Sequence, residues 1–360
     1  MSRIRVKIKK IRPIFNGFLT IFRLFRNSHF DIKCLDSMID GGENWKNPMI
    51  LRFRENGQSN KDLKLLVIRF DEGWIRTAGI FALLNKTLCG LYFADRFGLI
   101  PLVDRWEGCP YQVGDDGMVF EYYFEPVSDM GMDEANDSYN VAYTIDSNFN
   151  LILRDFGTGW FSYSEPYIDR MASILSKYIS FNEKTKGMME KDIVNICNDF
   201  DSTLGVHFRG TDYKLNMNSH PVALNPTDYY DSIDRALETG GYDRIFLATD
   251  DLNAMKMFKE RYGSRIVYYQ DVFRADGMVS TAFTGSAEGR DGRRTGYEAL
   301  RDSLTLSKCG GVIVGFSQVS IFAVINKRSR GESFKTFDVI NKGINDNDKE
   351  WLDEFDYLVR

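Results

Sequence analysis

Metal-binding and disulfide chemistry are the first things this sequence lacks. Its three histidines do not pair at the spacing of a helical metal site. Five cysteines (Cys34, Cys89, Cys109, Cys197, Cys309) are scattered with no CxxC pair. That usage favours a reduced, cytoplasmic setting over a disulfide framework or a zinc site. Net positive charge is missing too. The formal charge is -5, so nucleic-acid binding has no bulk electrostatic support, and an anionic ligand must be held by a local cluster. No apolar run is long enough to span a bilayer. The nearest case, Ile14 to Phe25, is interrupted by Asn16, Thr20 and Arg23, and it lacks the small-residue cleavage site of a secretory signal. It follows Arg3, Arg5, Lys7, Lys9, Lys10 and Arg12, so residues 1–26 form a basic amphipathic segment. Such a segment can lie at the inner face of a membrane as a peripheral contact, or pack on the protein's own surface. Both readings stay open.

What remains is globular composition: 360 residues, 43% hydrophobic and 27% charged, enough for two cores. In the first half, Leu63 to Phe70 reads as a buried strand, followed by the loop Asp71 to Gly79. The spacing predicts a helix from Ile80 to about Phe97, stopped by Gly98, and a strand from Leu99 to Val103. This is one βαβ unit. The amides that open the helix can receive an anion; Gly79 there serves a ligand's approach or only lets helix and strand pack closely. Trp106 to Tyr111 and Phe120 to Pro126 mix aromatics with acids, which suits stacking on sugars, although core packing explains the same residues. Tyr167–Tyr178 and Glu183–Phe200 read as helices, the second connecting to the next domain.

The second half is organised around Leu204 to Asp212, an apolar strand ending in ionisable side chains. A buried parallel strand reads that way when its carboxyl end opens into a ligand crevice. His207 and Arg209 lie two apart and share one side of an extended chain. A guanidinium can fork onto two oxygens of a pyrophosphate; the plainer alternative is an Arg209–Asp212 ion pair closing the loop. Beyond it, strand and helix alternate. Asn225 and Pro226 open a helix ending at Gly240 and Gly241, Arg244–Ala248 is a strand, and a helix runs from Leu252 to Gly263. Arg265–Tyr269 reads as a strand, and a polar, Gly-rich stretch from Arg274 to Thr295 as a flap over the site. A helix from about Gly296 to Cys309, the strand Gly311–Gly315 and a helix near Gln318 complete the pattern. Four loops after apolar strands carry His207/Arg209, Asp250/Asp251, Gln270/Asp271 and Ser317/Gln318. The Ser317 turn offers helix amides for a phosphate, or is a plain N-cap.

Three ordered segments now carry a resemblance: H-F-R-G-T-D from His207, F-L-A-T-D-D from Phe246, and R-D-S-L-T-L-S-K-C-G-G-V-I-V-G-F-S-Q-V-S from Arg301. Together they resemble the motifs of the α1,6-fucosyltransferase group, which includes the nodulation fucosyltransferases and the enzyme that core-fucosylates N-glycans, and which is related to the protein O-fucosyltransferases. Ala78-Gly79, the following helix and Gly98 to Asp104 are similar to the family's N-terminal loop, helix and strand. The likeness covers roughly residues 63 to 330. It implies an α/β, GT-B-like fold: two Rossmann-like domains with parallel sheets facing a central cleft. It also implies an inverting glycosyltransferase that moves fucose from GDP-fucose to a glycan or polysaccharide acceptor, with no cofactor and no metal. By position, Arg209 would hold the donor pyrophosphate, His207 and Asp302 would face the guanine, Ser317 would contact the β-phosphate, and Gln318 would be a further donor-binding residue. Gly79 would bring the other domain's loop to the phosphates. Asp212, Asp250 and Asp251 match motif positions that order the site.

One departure matters. The family usually carries Lys after the motif Asp and an acid several residues on; here Tyr213 follows, Lys214 is displaced by one, and Leu215 to Leu224 holds no acid. The catalytic group is therefore open among Asp212, His220, Asp228 and an acid of the N-terminal domain. The expected organisation is a basic segment 1–45, an acceptor-side domain 46–198, a nucleotide-sugar domain 199–345 and a C-terminal helix 346–360. Two alternatives stand beside the fucosyltransferase reading. One is another nucleotide sugar on the same fold; the other is a non-catalytic glycan-binding homologue.

Overall fold

A computed structural model describes residues 52–54, 56–115, 117–144, 152–153, 156–278, 281 and 290–349. The basic segment 1–45 and much of the stretch expected to form a flap (279–280 and 282–289) lie outside the described residues. So does 350–360; of the expected terminal helix only 346–349 is described, and it is not helical.

Two sheets form, each where the apolar runs placed a strand. In the first, β2 (Leu65–Ile68) is buried along its whole length and pairs in parallel with β3 (Ile100–Val103) and β4 (Val141–Tyr143). β1 (Arg52–Arg54) adds antiparallel to β4. Helix α1 (Ile80–Phe97) links β2 to β3, and Gly98 closes it in the left-handed conformation (φ 63°) that glycine adopts without a steric penalty. Helices α2 (Glu165–Tyr178) and α3 (Glu183–Ile196) lead to the second sheet.

That sheet runs β7-β6-β5-β8-β9, all parallel. Its strands are β5 (Thr203–Phe208), β6 (Arg244–Thr249), β7 (Ile266–Val267), β8 (Gly311–Gly315) and β9 (Thr336–Ile340). The connecting helices are α4 (Tyr230–Thr239), α5 (Leu252–Tyr262), α6 (Gly292–Lys308) and α7 (Gln318–Ser329). β5 and β8 are buried throughout, so their near-continuous apolar sequence is what a doubly covered parallel strand requires. β7 is shorter than its apolar run, and α6 begins four residues earlier than expected, capped by Asp291 onto the Arg293 amide. β9, like β1 and β4 of the first sheet, was not anticipated; it is a half-exposed edge strand with a mixed sequence.

The sheets are separate but their cores are not. Tyr297, Leu300 and Leu304 of α6 and Ile321, Phe322 and Ile325 of α7 are buried in one cluster with Ile80, Phe81 and Leu84 of α1. The Phe81 and Phe322 rings lie 5.1 Å apart. Gly296 lets α6 approach closely, since a Cβ there would lie 2.2 Å from the Tyr123 hydroxyl oxygen. Burial of this kind supplies most of the stability of a packed interface, at about 25 cal/mol per Å² of apolar surface. The two units are thus joined by shared core rather than by a loose hinge. Among the described residues, no helix is long and apolar enough to cross a membrane.

Candidate functional site

Where the carboxyl ends of the second sheet face the start of α1, a cavity of ≈ 530 Å³ opens. A crevice beyond strand carboxyl ends is where ligands sit in parallel α/β sheets. Nine of the residues singled out in the sequence for donor binding or catalysis line it: Gly79, His207, Arg209, Asp212, His220, Asp250, Asp302, Ser317 and Gln318; Asp228, also weighed as the catalytic group, does not.

The Arg209 end is fully paired. One terminal nitrogen of Arg209 lies 2.7 Å from Asp212 Oδ1 and the other 2.6 Å from Asp250 Oδ2. The plainer alternative weighed for Arg209, a loop-closing ion pair, is therefore present, with a second carboxylate added just beyond β6. Asp250 also accepts from the Gly210 amide (3.0 Å) and the Thr211 hydroxyl (2.7 Å). Burial pushes Asp250 up, but Arg209 and these two donors outweigh it and hold its carboxyl below the usual range. His207, 4% exposed, is driven down to about 4 by burial, against the pull of Asp250, so its imidazole is neutral at physiological pH. Its Nδ1 is buried with no hydrogen-bond partner among the described residues.

Asp302, on α6, is as buried as these and behaves in the opposite way. It accepts no hydrogen bond among the described residues. Burial pushes its carboxyl up to about 7; Arg274 and Arg301 oppose the shift, and Glu298 and Asp271 add to it.

Two helices start at the cavity. Gly79 is the N-cap of α1, and the Ile80 amide donates to the buried Tyr111 hydroxyl (2.9 Å). A Cβ at Gly79 would meet nothing closer than that hydroxyl, 3.9 Å away. Close helix–strand packing therefore does not explain this glycine, whereas a ligand coming down on the helix end would. Ser317, the N-cap of α7, accepts from the Val319 amide at 3.2 Å. The Gln318 side chain is committed elsewhere: it donates to the Trp160 carbonyl and accepts from Asn85 Nδ2, both at 2.7 Å, and so ties the two units together. What Gln318 offers the cavity is its first-turn amide.

His220 sits on the loop after β5. Its Nδ1 faces the Asn218 carbonyl at 3.1 Å, and its ring packs 5.6 Å from Phe161 and 6.4 Å from Tyr213. Asp228 is not at the cavity; it caps the turn at Asn225 and pairs with Lys342. Displaced Lys214 reaches Asp251, which also caps α5, while Tyr213 lines the cavity in its place.

Sequence reasoning missed Trp74, Trp160 and Phe161 in the cavity wall, and left Asp71 as an unnamed acid of the first unit. Asp71 follows a strand and precedes a helical turn, a signal that could have found it. Trp160 and Phe161 lie in irregular chain without periodicity. The aromatic stretch from Trp106 to Phe124, by contrast, is core rather than a sugar platform. Trp106, Tyr123 and Phe124 are at most 2% exposed, and the Tyr123 hydroxyl donates to the Arg293 carbonyl.

The chain matches no family model and no curated protein sequence. Solved structures similar to it include NodZ alpha-1,6-fucosyltransferase soaked with GDP-fucose, at 17% identity over 73% of this chain and 92% of that chain, TM-score 0.42. Fucosyltransferase NodZ from Bradyrhizobium is similar at 15% identity over 73% and 91%, TM-score 0.40. POFUT1 in complex with GDP is similar at 12% identity over 78% and 99%, TM-score 0.43. The architecture of this chain, two α/β units whose mainly parallel sheets meet at a cleft, is GT-B-like.

Proposed function

We propose that this protein is an inverting glycosyltransferase whose donor is a nucleoside diphosphate sugar, GDP-fucose first among them, and whose acceptor is a glycan. One observation carries the reading. Segments 207–212, 246–251 and 301–320, far apart in sequence, meet at one cavity, and Gly79 of the other unit meets them there.

Each part has a role in that chemistry. The amides at the starts of α1 and α7 receive the diphosphate, and Arg209, oriented by Asp212 and Asp250, adds its positive charge. Asp212 then serves orientation rather than proton transfer. Neutral His207 and Asp302 face the base. The acceptor oxygen attacks C1 of the sugar from the side opposite the diphosphate. The C1–O bond breaks, its electron pair leaves with GDP, and the acceptor proton passes to a base. His220 is our choice: a ring nitrogen facing a carbonyl oxygen must carry the proton, which leaves Nε2 as the acceptor of the neutral ring. Asp71, in the first unit's wall of the cavity, is the alternative base. Stabilising charge on the leaving diphosphate supplies much of the acceleration. By the same proposal the reaction needs no metal, and residues 1–26 can hold the enzyme at a membrane surface.

A second reading has its own support. Arg209 is the only Lys or Arg among the described residues lining the cavity, its terminal nitrogens are already paired, and five acids line the same walls. That balance would suit a neutral glycan held by a non-catalytic protein. Heat denaturation with GDP, UDP or neutral glycans, with and without magnesium or manganese, separates the two. GDP alone at about a hundred times its dissociation constant should add about 2.7 kcal/mol. A response to glycan and none to GDP supports the second reading, and a GDP response that appears only with metal contradicts the metal-free mechanism.

A further inference from the structure

The loop bearing His220 is held by a segment that neither the motifs nor the periodicity singled out. After β9 the chain turns back across this loop, and residues 341–349 pair with it. The Asn218 amide donates to the Lys349 carbonyl (3.0 Å), Ser219 to Asn345 (2.9 Å) and Val222 to Gly343 (2.9 Å). Pro221 and Ile344 form an antiparallel bridge. Asn345 lies at the centre. Its amide donates to the His220 carbonyl at 2.8 Å, and its Nδ2 lies 3.2 Å from both the His220 and the Pro221 carbonyls. Asn347 and Lys349 reach the carbonyls of Asn216 and Leu215.

The clasped loop is also strained. Asn216 (φ 53°) and Ser219 (φ 61°) are in the left-handed region, two of the four non-glycine residues there among those described. Ser219 occupies the third position of a turn closed by the His220 amide on the Met217 carbonyl, where glycine is the usual occupant. Such backbone persists only where surrounding contacts over-determine it, and it recurs at functional sites. The turn is what sets the Asn218 carbonyl opposite His220 Nδ1.

We propose that Asn345 is a positioning residue for His220. Together with segment 341–349 it fixes the turn that aims the Asn218 carbonyl at Nδ1, and so keeps the proton on Nδ1 and the basic lone pair on Nε2. The inference rests on His220 acting as the base of the proposed transferase, but its structural half can be read without activity.

The protein has three histidines, so imidazole nitrogen resonances can be assigned by replacing each in turn. In the parent protein His220 should appear as the Nδ1–H tautomer. Asn345→Asp keeps the shape but turns a donor into an acceptor facing two carbonyl oxygens; it should give mixed tautomers, and Asn345→Ala a smaller change. With GDP-fucose as donor and water as acceptor, releasing GDP and fucose, Asn345→Asp should lower kcat tenfold or more and leave the donor KM unchanged. In a His220→Ala background the same change should lower kcat no further, because residues acting as a unit are non-additive. Circular dichroism checks folding, and Asn345→Ala, which keeps the main-chain bond, carries the comparison should Asn345→Asp fail to fold. An unchanged His220 tautomer in both variants, or losses that add, overturns the positioning role. A parent protein that neither binds GDP nor releases it from GDP-fucose overturns the proposed function instead, and the nitrogen spectra then still decide the structural half.

Discussion

Two ends of one cavity hold buried carboxylates in opposite states. At the Arg209 end, Asp250 takes a guanidinium, a hydroxyl and a main-chain amide, and stays ionised. At the α6 end, Asp302, 8% exposed, has no such donors among the described residues, and its carboxyl is pushed up to about 7. Burial alone raises both; donors decide the outcome. The difference separates a preorganised charge, ready to face an anion, from a carboxyl that can accept or donate hydrogen bonds to a neutral base.

Replacing each carboxylate by its amide should break the comparison in opposite directions. For Asp302 the folded value lies above the unfolded value of about 3.9. Its stabilising contribution is therefore complete below about pH 4 and is lost as pH rises through about 7. Asp302→Asn should be more stable than the parent at pH 8, by on the order of 4 kcal/mol, with the gap closing toward pH 4. For Asp250, whose value is depressed, the contribution is present at neutral pH and lost in acid. Asp250→Asn should cost about 3 kcal/mol at pH 7. Urea melts at pH 5 and pH 8 check both, and a shared sign at pH 8 would show that the two ends do not differ.

A smaller effect sharpens the phosphate side. Gly79→Ala has room for its Cβ, which would meet nothing closer than 3.9 Å, so stability should fall by less than about 1 kcal/mol, the scale of an altered N-cap. Calorimetric titration should nevertheless show GDP binding weakened roughly tenfold, or about 1.4 kcal/mol. Unchanged binding would move the phosphates away from the start of α1.

Much of the second unit was legible because buried parallel strands announce themselves. Gly311–Gly315 forms with the bounds its apolar pattern gave, and so, in the first unit, does the helix Ile80–Phe97. The cavity was legible for a related reason: ionisable residues that end apolar strands gather at the carboxyl edge of the sheet, where His207, Arg209 and Asp250 line the cavity, while Asp251 and Asp271 are taken up in ion pairs with Lys214 and with Arg294 and Arg301. What stayed hidden depends on contacts across sequence distance. β9 has a mixed pattern because it is an edge. The aromatics from Trp106 to Phe124 read equally as sugar platform or core until α6 was seen to pack on them. Gln318 looked like a ligand residue because its position suits one, yet its side chain bridges Asn85 and Trp160. The clasp of Asn345 on the His220 loop spans more than a hundred residues, so no local pattern could have announced it.

The most direct test is the turnover of Arg209→Lys. Lysine keeps the charge that Asp212 and Asp250 need, so the fold should survive, but it loses the planar fork that reaches several oxygens at once. With GDP-fucose as donor, on protein verified by circular dichroism, the rate of GDP release should fall about a hundredfold or more, as when one preorganised donor to a developing anion is removed. An Arg209→Lys protein that turns over at nearly the parent rate would show that the diphosphate is held elsewhere and contradict the assignment of this cavity.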